Sequence, residues 1–269
     1  GCAGRLRGRS KGSRILGPGG RSRLVPVGGG RARYGIAGNG RHLPGEQAGA
    51  VRQPVGDVRE FGNRRVGPGG FVESATPWRQ TEEHPVVNVS WEDANAFSAW
   101  LTKKERAAGK IGSRDTYRLP ADYEWSCAVG IGQQEDPRAS PSYKNMKIKG
   151  VFPYGTRFPP TDNSGNYDTS LLIDRFDETS PVGSFTANKL GLYDLGGNVW
   201  EWCSDWYSDK YPNGDCQDPK GAQSGKSRVL RGGSWAYDPA LCRAAFRLNY
   251  GPSERVNNFG LRVCFAWTK

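Results

Sequence analysis

Apolar side chains recur three or four positions apart over residues 91–106, and this spacing predicts an α-helix with one buried face. They are Trp91, Ala94, Phe97, Trp100 and Leu101. Ser90 stands directly before the pattern, and Asp93 follows three residues later, which is an aspartate variant of the capping box. The helix is therefore expected to begin directly after Ser90.

Shorter patterns lie on either side of this helix. The apolar run at residues 85–89 predicts a short strand before it. A second helix is predicted around residues 121–129, with Trp125 facing inward, because Gly130 supplies a stop signal. Turn-forming residues dominate 131–190, so little regular structure is expected there unless something such as bound cations organises the chain.

The clearest period-two alternation places Trp200 and Trp202 on one side of the chain and Val199 and Glu201 on the other. This alternation predicts a β-strand with indole rings on one face and a carboxylate beside backbone carbonyls on the other. Residues 242–263 predict a hairpin-like region that ends on an apolar strand.

Composition agrees with a fold made of many short elements. The 269 residues suffice for one large or two ordinary domains, and they include 38 Gly, 9 Trp, 11 Tyr and 10 Phe. An aromatic core in a loop-rich fold fits this composition better than a helical bundle does.

The net charge of +11 comes from one end of the chain. Residues 1–70 hold 14 basic and 3 acidic residues and 20 of the 38 glycines, whereas the 24 basic and 24 acidic residues after them cancel. A nucleic-acid partner would therefore depend wholly on residues 1–70. That segment is either a basic binding tail or, as we favour, a disordered or non-native sequence such as a shifted reading frame. We divide the chain into this Gly/Arg-rich segment and one domain, 71–269.

Several classes of protein are not expected. No apolar h-region follows the basic start, and no stretch is long enough to span a membrane. The six cysteines form neither C-x-x-C pairs nor a dense framework, so a zinc site or a small disulfide scaffold is not predicted. Cys203 and Cys216 could close a loop in an oxidising compartment, but the sequence does not settle the compartment.

Six motifs follow one another along the chain: His84 to Trp91; Tyr117 to Pro120 with Glu124 and Trp125; Ser180 to Phe185; Gly191 to Trp202; Arg231 to Trp235; and Arg247 with Pro252 and Gly260 to Arg262. In order and spacing they resemble the formylglycine-generating enzyme family, also called sulfatase-modifying factors, over roughly residues 84–265. The resemblance implies an α+β fold, an elaborated C-type-lectin-like fold with little regular secondary structure.

The resemblance also implies bound calcium at two sets of residues. The first set is Asn166, Tyr167, Asp174 and Phe176; the second is Asn198 and Glu201 with carbonyls near Gly196, Gly197 and Val199. Such side-chain and carbonyl oxygens suit Ca²⁺. The alternative is that Asn166 and Asp174 are ordinary turn residues and that Glu201 pairs with an arginine.

The sequence departs from the family at the catalytic position. The family oxidises a cysteine of a sulfatase peptide to formylglycine with O₂, using two cysteines, five positions apart, that bind copper(I). Counted without gaps, Tyr237 stands at the first position and Cys242 at the second, while Ser234 matches a site serine. A single thiolate holds Cu(I) poorly, so copper is not expected. Cys242 is then either a buried structural residue or a reactive thiol.

Two functions follow. The first is a non-oxidase family member that binds a peptide or protein ligand through an aromatic groove, with polar anchors at its edge. The groove residues are Trp202, Trp235, Tyr237, Arg243 and Arg247. The second is a formylglycine-generating oxidase whose degenerate site uses Cys242 and Ser234.

Overall fold

The computed structural model describes residues 20–25, 76, 78, 80–81, 83–136, 138–145, 147–209 and 221–268. Within these ranges the chain forms short strands and helices joined by long turns. The strands are β1 (Gly20–Val25), β2 (Thr116–Arg118), β3 (Trp200–Tyr207), β4 (Ser227–Arg231), β5 (Leu248–Tyr250), β6 (Phe259–Leu261) and β7 (Val263–Thr268). The α-helices are α1 (Trp91–Ala107), α2 (Asp122–Val129) and α3 (Pro141–Asn145).

Helix α1 forms as its spacing predicts. The Ser90 hydroxyl accepts a hydrogen bond from the Asp93 backbone N–H (3.1 Å), and the Asp93 carboxylate accepts one from the Ser90 N–H (2.9 Å). This reciprocal pair satisfies two N–H groups that a helix start leaves free. Helix α2 is also confirmed, because Trp125 is fully buried and Gly130 ends the helix at φ 97°.

The strands form two sheets. One is the antiparallel order β1-β7-β2, in which β1 runs along β7 from Gly20 opposite Thr268 to Val25 opposite Val263. The other has the order β5-β4-β3-β6, with β6 parallel to β3. Residues 232–247 connect β4 to β5, and this connection, the site loop, carries the predicted catalytic residues.

The main core packs the second sheet against α1. Trp200 and Trp202 of β3 contribute fully buried rings, and Phe97 and Leu101 of α1 pack into the same cluster with Leu119. The strand at 199–202 is confirmed, but both of its faces are buried. Glu201 therefore lies inside the protein, on the side opposite the rings.

Two predicted elements are wrong. Residues 85–89 form no strand, because Asn88 takes a left-handed conformation (φ 57°) that interrupts any ladder, and its N–H donates to Val256 O instead. The C-terminal region is not a hairpin, because β6 pairs with β3 whereas β7 joins the other sheet. Arg262 stands at the crossing point between them.

The predicted segment 1–70 lies outside the described residues except for β1. Strand β1 supplies one edge of the three-stranded sheet, and the division of the chain at residue 70 stays a prediction. In the described part of the chain, no helix combines the length and the apolar character needed to cross a membrane.

Candidate functional site

The site loop begins with two glycines that the local geometry requires. Gly232 and Gly233 adopt φ values of 95° and 84°, which favour glycine. A Cβ at Gly233 would also overlap the Sγ atom of Cys242. The Gly-Gly pair therefore lets the start of the loop turn sharply and lie directly against Cys242.

The thiol of Cys242 is buried and inaccessible to solvent. Its side chain is buried, and its Sγ lies 3.9 Å from Tyr237 O. Burial raises the pKa of the Cys242 thiol to about 12, against a smaller lowering by the backbone N–H of Ser234. At neutral pH the group is protonated, and a protonated thiol is neither a nucleophile nor a metal ligand.

Among the residues that the structure describes, no second thiol pairs with Cys242. At the other family position, the ring of Tyr237 packs edge-on against Trp200, with ring centroids 5.3 Å apart. Cys127 and Cys203 are free as well, and no group of three His, Cys, Asp or Glu residues that could hold a metal occurs in the described part of the chain. Copper(I) does not fit these residues. Cys216 lies outside the described residues.

Ser234 is a structural residue in this arrangement. It is fully buried, and its hydroxyl accepts a hydrogen bond from Asn258 Nδ2 at 3.1 Å. The next residue, Trp235, donates its backbone N–H to Asn198 O at 3.0 Å. These bonds fix the start of the site loop to the strand that the sequence singled out.

Four partly buried aromatic side chains belong to the site loop or contact it. Trp235 packs edge-on against Trp78 with ring centroids 5.4 Å apart, and both rings are half-buried. Their indole nitrogens, although buried, have no hydrogen-bond partner among the described residues. The ring of Phe246 packs against Trp200, with ring centroids 5.9 Å apart, and Tyr237 contacts the same Trp200 ring. We call Trp78, Trp235, Tyr237 and Phe246 the aromatic surface.

Two predicted groove residues belong to the interior. Trp202 is fully buried and donates from Nε1 to Val89 O at 2.9 Å. Arg247 is 2% exposed and is bound by carboxylates. The groove prediction is wrong for both residues, because spacing cannot tell a surface face from a second buried face. Arg243 is half-buried and donates to the carbonyls of Ala240 and Asn145.

Buried ion pairs hold both ends of the site loop. Arg231, before the loop, and Arg247, at its end, both bind the carboxylate of Asp122. Arg247 also makes a bidentate pair with Glu135, at 2.5 and 2.7 Å. Burial opposes the ionised form of Asp122, but Arg247 and Arg231 together keep its pKa well below its usual value. We call these four residues the loop clamp.

The clamp was not predicted, and the sequence holds little that could have revealed it. Asp122 stands at the first position of a helix, where acidic residues are common for local reasons. Its partners lie 109 and 125 positions away along the chain. The contact of Asp122 with Arg231 and Arg247 can be recognised only in the folded structure, which brings the three residues together.

The second predicted calcium set does not fit a cation. Both carboxylate oxygens of Glu201 bind Arg262, at distances from 2.5 to 3.0 Å, and one also accepts from Trp125 Nε1 at 2.9 Å. The amide of Asn198 is used in two bonds with the backbone of Ser180. The side-chain oxygens of Glu201 and Asn198 thus already have protein partners. Glu201 pairs with an arginine, which is the alternative given for it above.

The other residues of that second set, Gly196, Gly197 and Val199, pack closely against neighbouring residues. Gly197 has φ 75°, and a Cβ there would overlap Asn166 O, so only glycine fits. Its N–H donates to Gly232 O at 3.0 Å. Gly196 packs closely on Pro153, and Val199 is buried. These contacts tie the stretch before β3 to the site loop.

The first predicted calcium set does fit a cation. The Asp174 carboxylate accepts backbone N–H bonds from Tyr167 (3.2 Å) and Phe176 (2.9 Å), so the fold brings these residues together. Asn166 is fully buried, and its Oδ1 has no partner among the described residues. Amide and carboxylate oxygens are ligands of the kind that Ca²⁺ takes, and both Asp174 oxygens also accept backbone N–H bonds.

Together, the mixed sheets and the glycine-led site loop define a domain of the formylglycine-generating-enzyme type. The chain belongs to this family: the family model described as "Sulfatase-modifying factor enzyme 1-like domain" matches residues 57–266. The predicted family and the α+β fold class with little regular structure are therefore confirmed.

The curated relatives include proteins named formylglycine-generating enzyme and one named as inactive. The formylglycine-generating enzyme of Streptomyces coelicolor is 35% identical over 228 residues, covering 79% of this chain and 65% of the relative. That of Mus musculus is 34% identical, covering 66% and 43%. "Inactive C-alpha-formylglycine-generating enzyme 2" of Bos taurus is 32% identical, covering 76% and 56%. The chain spans from about two fifths to under two thirds of these relatives.

Solved structures agree on the fold. PvdO from Pseudomonas aeruginosa superposes with a TM-score of 0.54 at 26% identity, covering 76% of this chain and 70% of PvdO. Treponema denticola variable protein 1 also gives 0.54, at 22% identity, covering 90% and 98%. The second similarity concerns the fold alone.

Proposed function

We propose that this domain binds a peptide or protein segment through the aromatic surface and does not oxidise cysteine. The observation that carries the proposal is the pair of buried indole N–H groups, of Trp78 and Trp235, that have no acceptor among the described residues. An indole N–H can only donate, and leaving a donor buried and unpaired costs about 1–3 kcal/mol. Carbonyl oxygens of a bound peptide would satisfy both donors once the side chains that cover these nitrogens move aside.

The ring arrangement supports the same proposal. Half-buried aromatic side chains on a fixed loop lose little entropy on binding, and such residues dominate the energy of protein interfaces. The loop clamp and the bond from Trp235 N–H to Asn198 O hold the loop in place before any ligand arrives. A preorganised surface of this kind favours binding because less freedom is lost.

The experiment is a peptide array probed with the full chain, followed by fluorescence anisotropy of the best-binding peptide. The Trp235→Phe variant keeps an aromatic side chain but removes the indole N–H together with the pyrrole ring, so we expect the affinity to fall by about three- to tenfold. Trp100→Phe, which changes a tryptophan of α1, is the matched control and should bind as wild type. An array without sequence preference, or equal affinity for Trp235→Phe and wild type, would refute the proposal.

Oxidation of a peptide cysteine is the second candidate, favoured by the names of the curated relatives. It would require Cys242 to ionise and to act without a partner thiol. The high pKa of Cys242 and the packing of Tyr237 on Trp200 weigh against it. The domain therefore keeps the family scaffold around a site that lacks the paired thiolates.

We also propose that Ca²⁺ binds the first set, through the side chains of Asn166 and Asp174 with neighbouring carbonyls of Tyr167 and Phe176. Ca²⁺ would neutralise Asp174 and crosslink two turns that are otherwise joined by few regular hydrogen bonds. Support comes from the unpaired Asn166 Oδ1 and from the close approach of these residues.

A further inference from the structure

A cavity of about 300 Å³ lies between the turn at 161–165 and the segment 185–196, apart from the aromatic surface. Its volume is at the lower end of the range of about 300–1,000 Å³ for small-ligand pockets. The residues that line it include two carboxylates, Asp162 and Asp194, and no Lys, Arg or His. The rings of Tyr154 and Phe185 complete the wall.

One phenol group that lines this cavity, and a second that lies behind its wall, have no hydrogen-bond partner among the described residues. The hydroxyls of Tyr154 and Tyr167 are both buried and unpaired. Tyr167 is fully buried, and a Cβ placed on Gly196 would lie 2.5 Å from its Oη and 2.7 Å from Pro153 Cβ. The Tyr167 hydroxyl thus sits against two residues of the cavity wall, beside the ring of Tyr154.

We propose that this cavity binds an organic cation, the guanidinium or ammonium group of an arginine or lysine side chain. Such a group carries only donors, and the cavity offers carboxylate and phenol oxygens as acceptors. The rings of Tyr154 and Phe185 in the cavity wall would add cation–π attraction. Arg262 lies close enough to lower the pKa of the Asp194 carboxyl, but its guanidinium is paired with Glu201 and it is not among the residues that line the cavity.

This inference does not depend on the aromatic surface, because the residues that carry it are different. It also differs from the calcium proposal, since Asn166 and Asp174 do not line this cavity. A side chain in the cavity would give the domain selectivity for a basic residue.

The test is an NMR titration of the full chain with N-acetyl-L-arginine amide, in the presence and absence of Ca²⁺. The neutral isostere N-acetyl-L-citrulline amide is the matched control ligand. We expect the arginine probe to bind at least about tenfold more tightly than the citrulline probe, because only the former makes charge-assisted bonds. Equal binding of the two probes would overturn the proposal, as would displacement of the arginine probe by Ca²⁺.

Single substitutions test whether the arginine probe binds in this cavity. Asp162 is exposed, so Asp162→Asn should fold normally and weaken the arginine probe by about threefold. Tyr154→Phe removes one phenol oxygen and should weaken it to a similar degree. Glu254→Gln, at an exposed carboxylate outside the cavity, should leave it unchanged. Unchanged affinity in both cavity variants would contradict the proposal, while the Trp235→Phe measurement would still judge the aromatic surface separately.

Discussion

At the scale of single residues, Asp205 has the most unusual environment. It is 3% exposed, and its carboxylate accepts from the Asp122 N–H at 2.7 Å and from the Ser204 hydroxyl at 3.2 Å. Burial and the nearby charge of Asp122 raise the pKa of Asp205, and smaller opposing effects come from these hydrogen bonds and Lys144. The resulting pKa is about 7. A raised carboxyl pKa means that the folded state binds the proton more tightly than the unfolded chain does.

We predict that Asp205 makes the protein less stable as pH rises. An unfolded aspartate titrates near pH 4, so the contribution falls between about pH 4 and pH 7 and is constant above that range. Three pH units correspond to about 4 kcal/mol as an upper bound. Asp205→Asn should therefore match wild type near pH 4 and exceed its free energy of unfolding at pH 8, measured by urea denaturation. A constant difference between the two proteins across this range would contradict the prediction.

Residue-scale predictions from sequence succeeded where the signal is local. Ser90, Asp93 and Gly130 mark helix ends through bonds that span only a few residues. Pairings over long distances escaped, such as Glu201 with Arg262, which lie 61 positions apart. Trp202 was misplaced for a related reason: a period-two pattern identifies a strand but does not say how many of its faces are covered.

At the scale of elements, the site loop is shaped by its two anchored ends. Asp122, at the start of α2, binds Arg231 at the end of β4 and Arg247 just before β5. Arg231 also donates to Ala244 O at 2.6 Å, inside the loop. The loop therefore depends on a helix terminus far from it in sequence.

We predict that Asp122→Asn destabilises the fold and loosens the loop. Removing one partner from a buried ion pair costs about 3–5 kcal/mol. Asp122→Asn leaves Arg231 without its carboxylate partner and leaves Arg247 with Glu135 alone. Hydrogen exchange should increase most in residues 232–247, with smaller changes in α1. Asp136→Asn, at an exposed carboxylate paired with Arg138, is the control and should change stability by less than about 0.5 kcal/mol. Uniform exchange across the protein would argue against a local clamp.

The turn-rich segment 166–176 is where we expect a metal to act. If Ca²⁺ binds Asn166 and Asp174, EDTA should lower the Tm of wild type, because a ligand that binds only the folded state stabilises it. Asp174→Asn should abolish this sensitivity to EDTA. Glu201→Gln should keep it, since Glu201 is paired with Arg262. Loss of the sensitivity in Glu201→Gln alone would place the metal at the second set instead.

Prediction of elements failed where a strand needs a distant partner. Residues 85–89 have strand-like composition, yet the left-handed Asn88 prevents a ladder. The strands β6 and β7 are separated by Arg262 alone, but they join different sheets. Between them, the side chain of Arg262 forms a buried ion pair with Glu201. Composition does not encode which of two sheets a short strand will join.

At the scale of the whole molecule, the domain retains its family's scaffold while its site differs. The glycine-led loop, the buried Ser234 and the strand at Trp200 are present, as the motifs predicted. The position of a first thiol is filled by Tyr237, and Cys242 is protonated and enclosed. A nucleic-acid partner acting through residues 1–70 stays a prediction, tested by salt-sensitive binding that is lost when those residues are deleted.

The central claim is that this domain binds peptides without oxidising them. The most direct measurement is mass spectrometry of a Cys-X-Pro-X-Arg peptide incubated in air with the full chain and Cu(I). We predict that the peptide mass stays unchanged in wild type and in Cys242→Ser alike. Conversion of the peptide cysteine to formylglycine by wild type, and its loss in Cys242→Ser, would contradict the account.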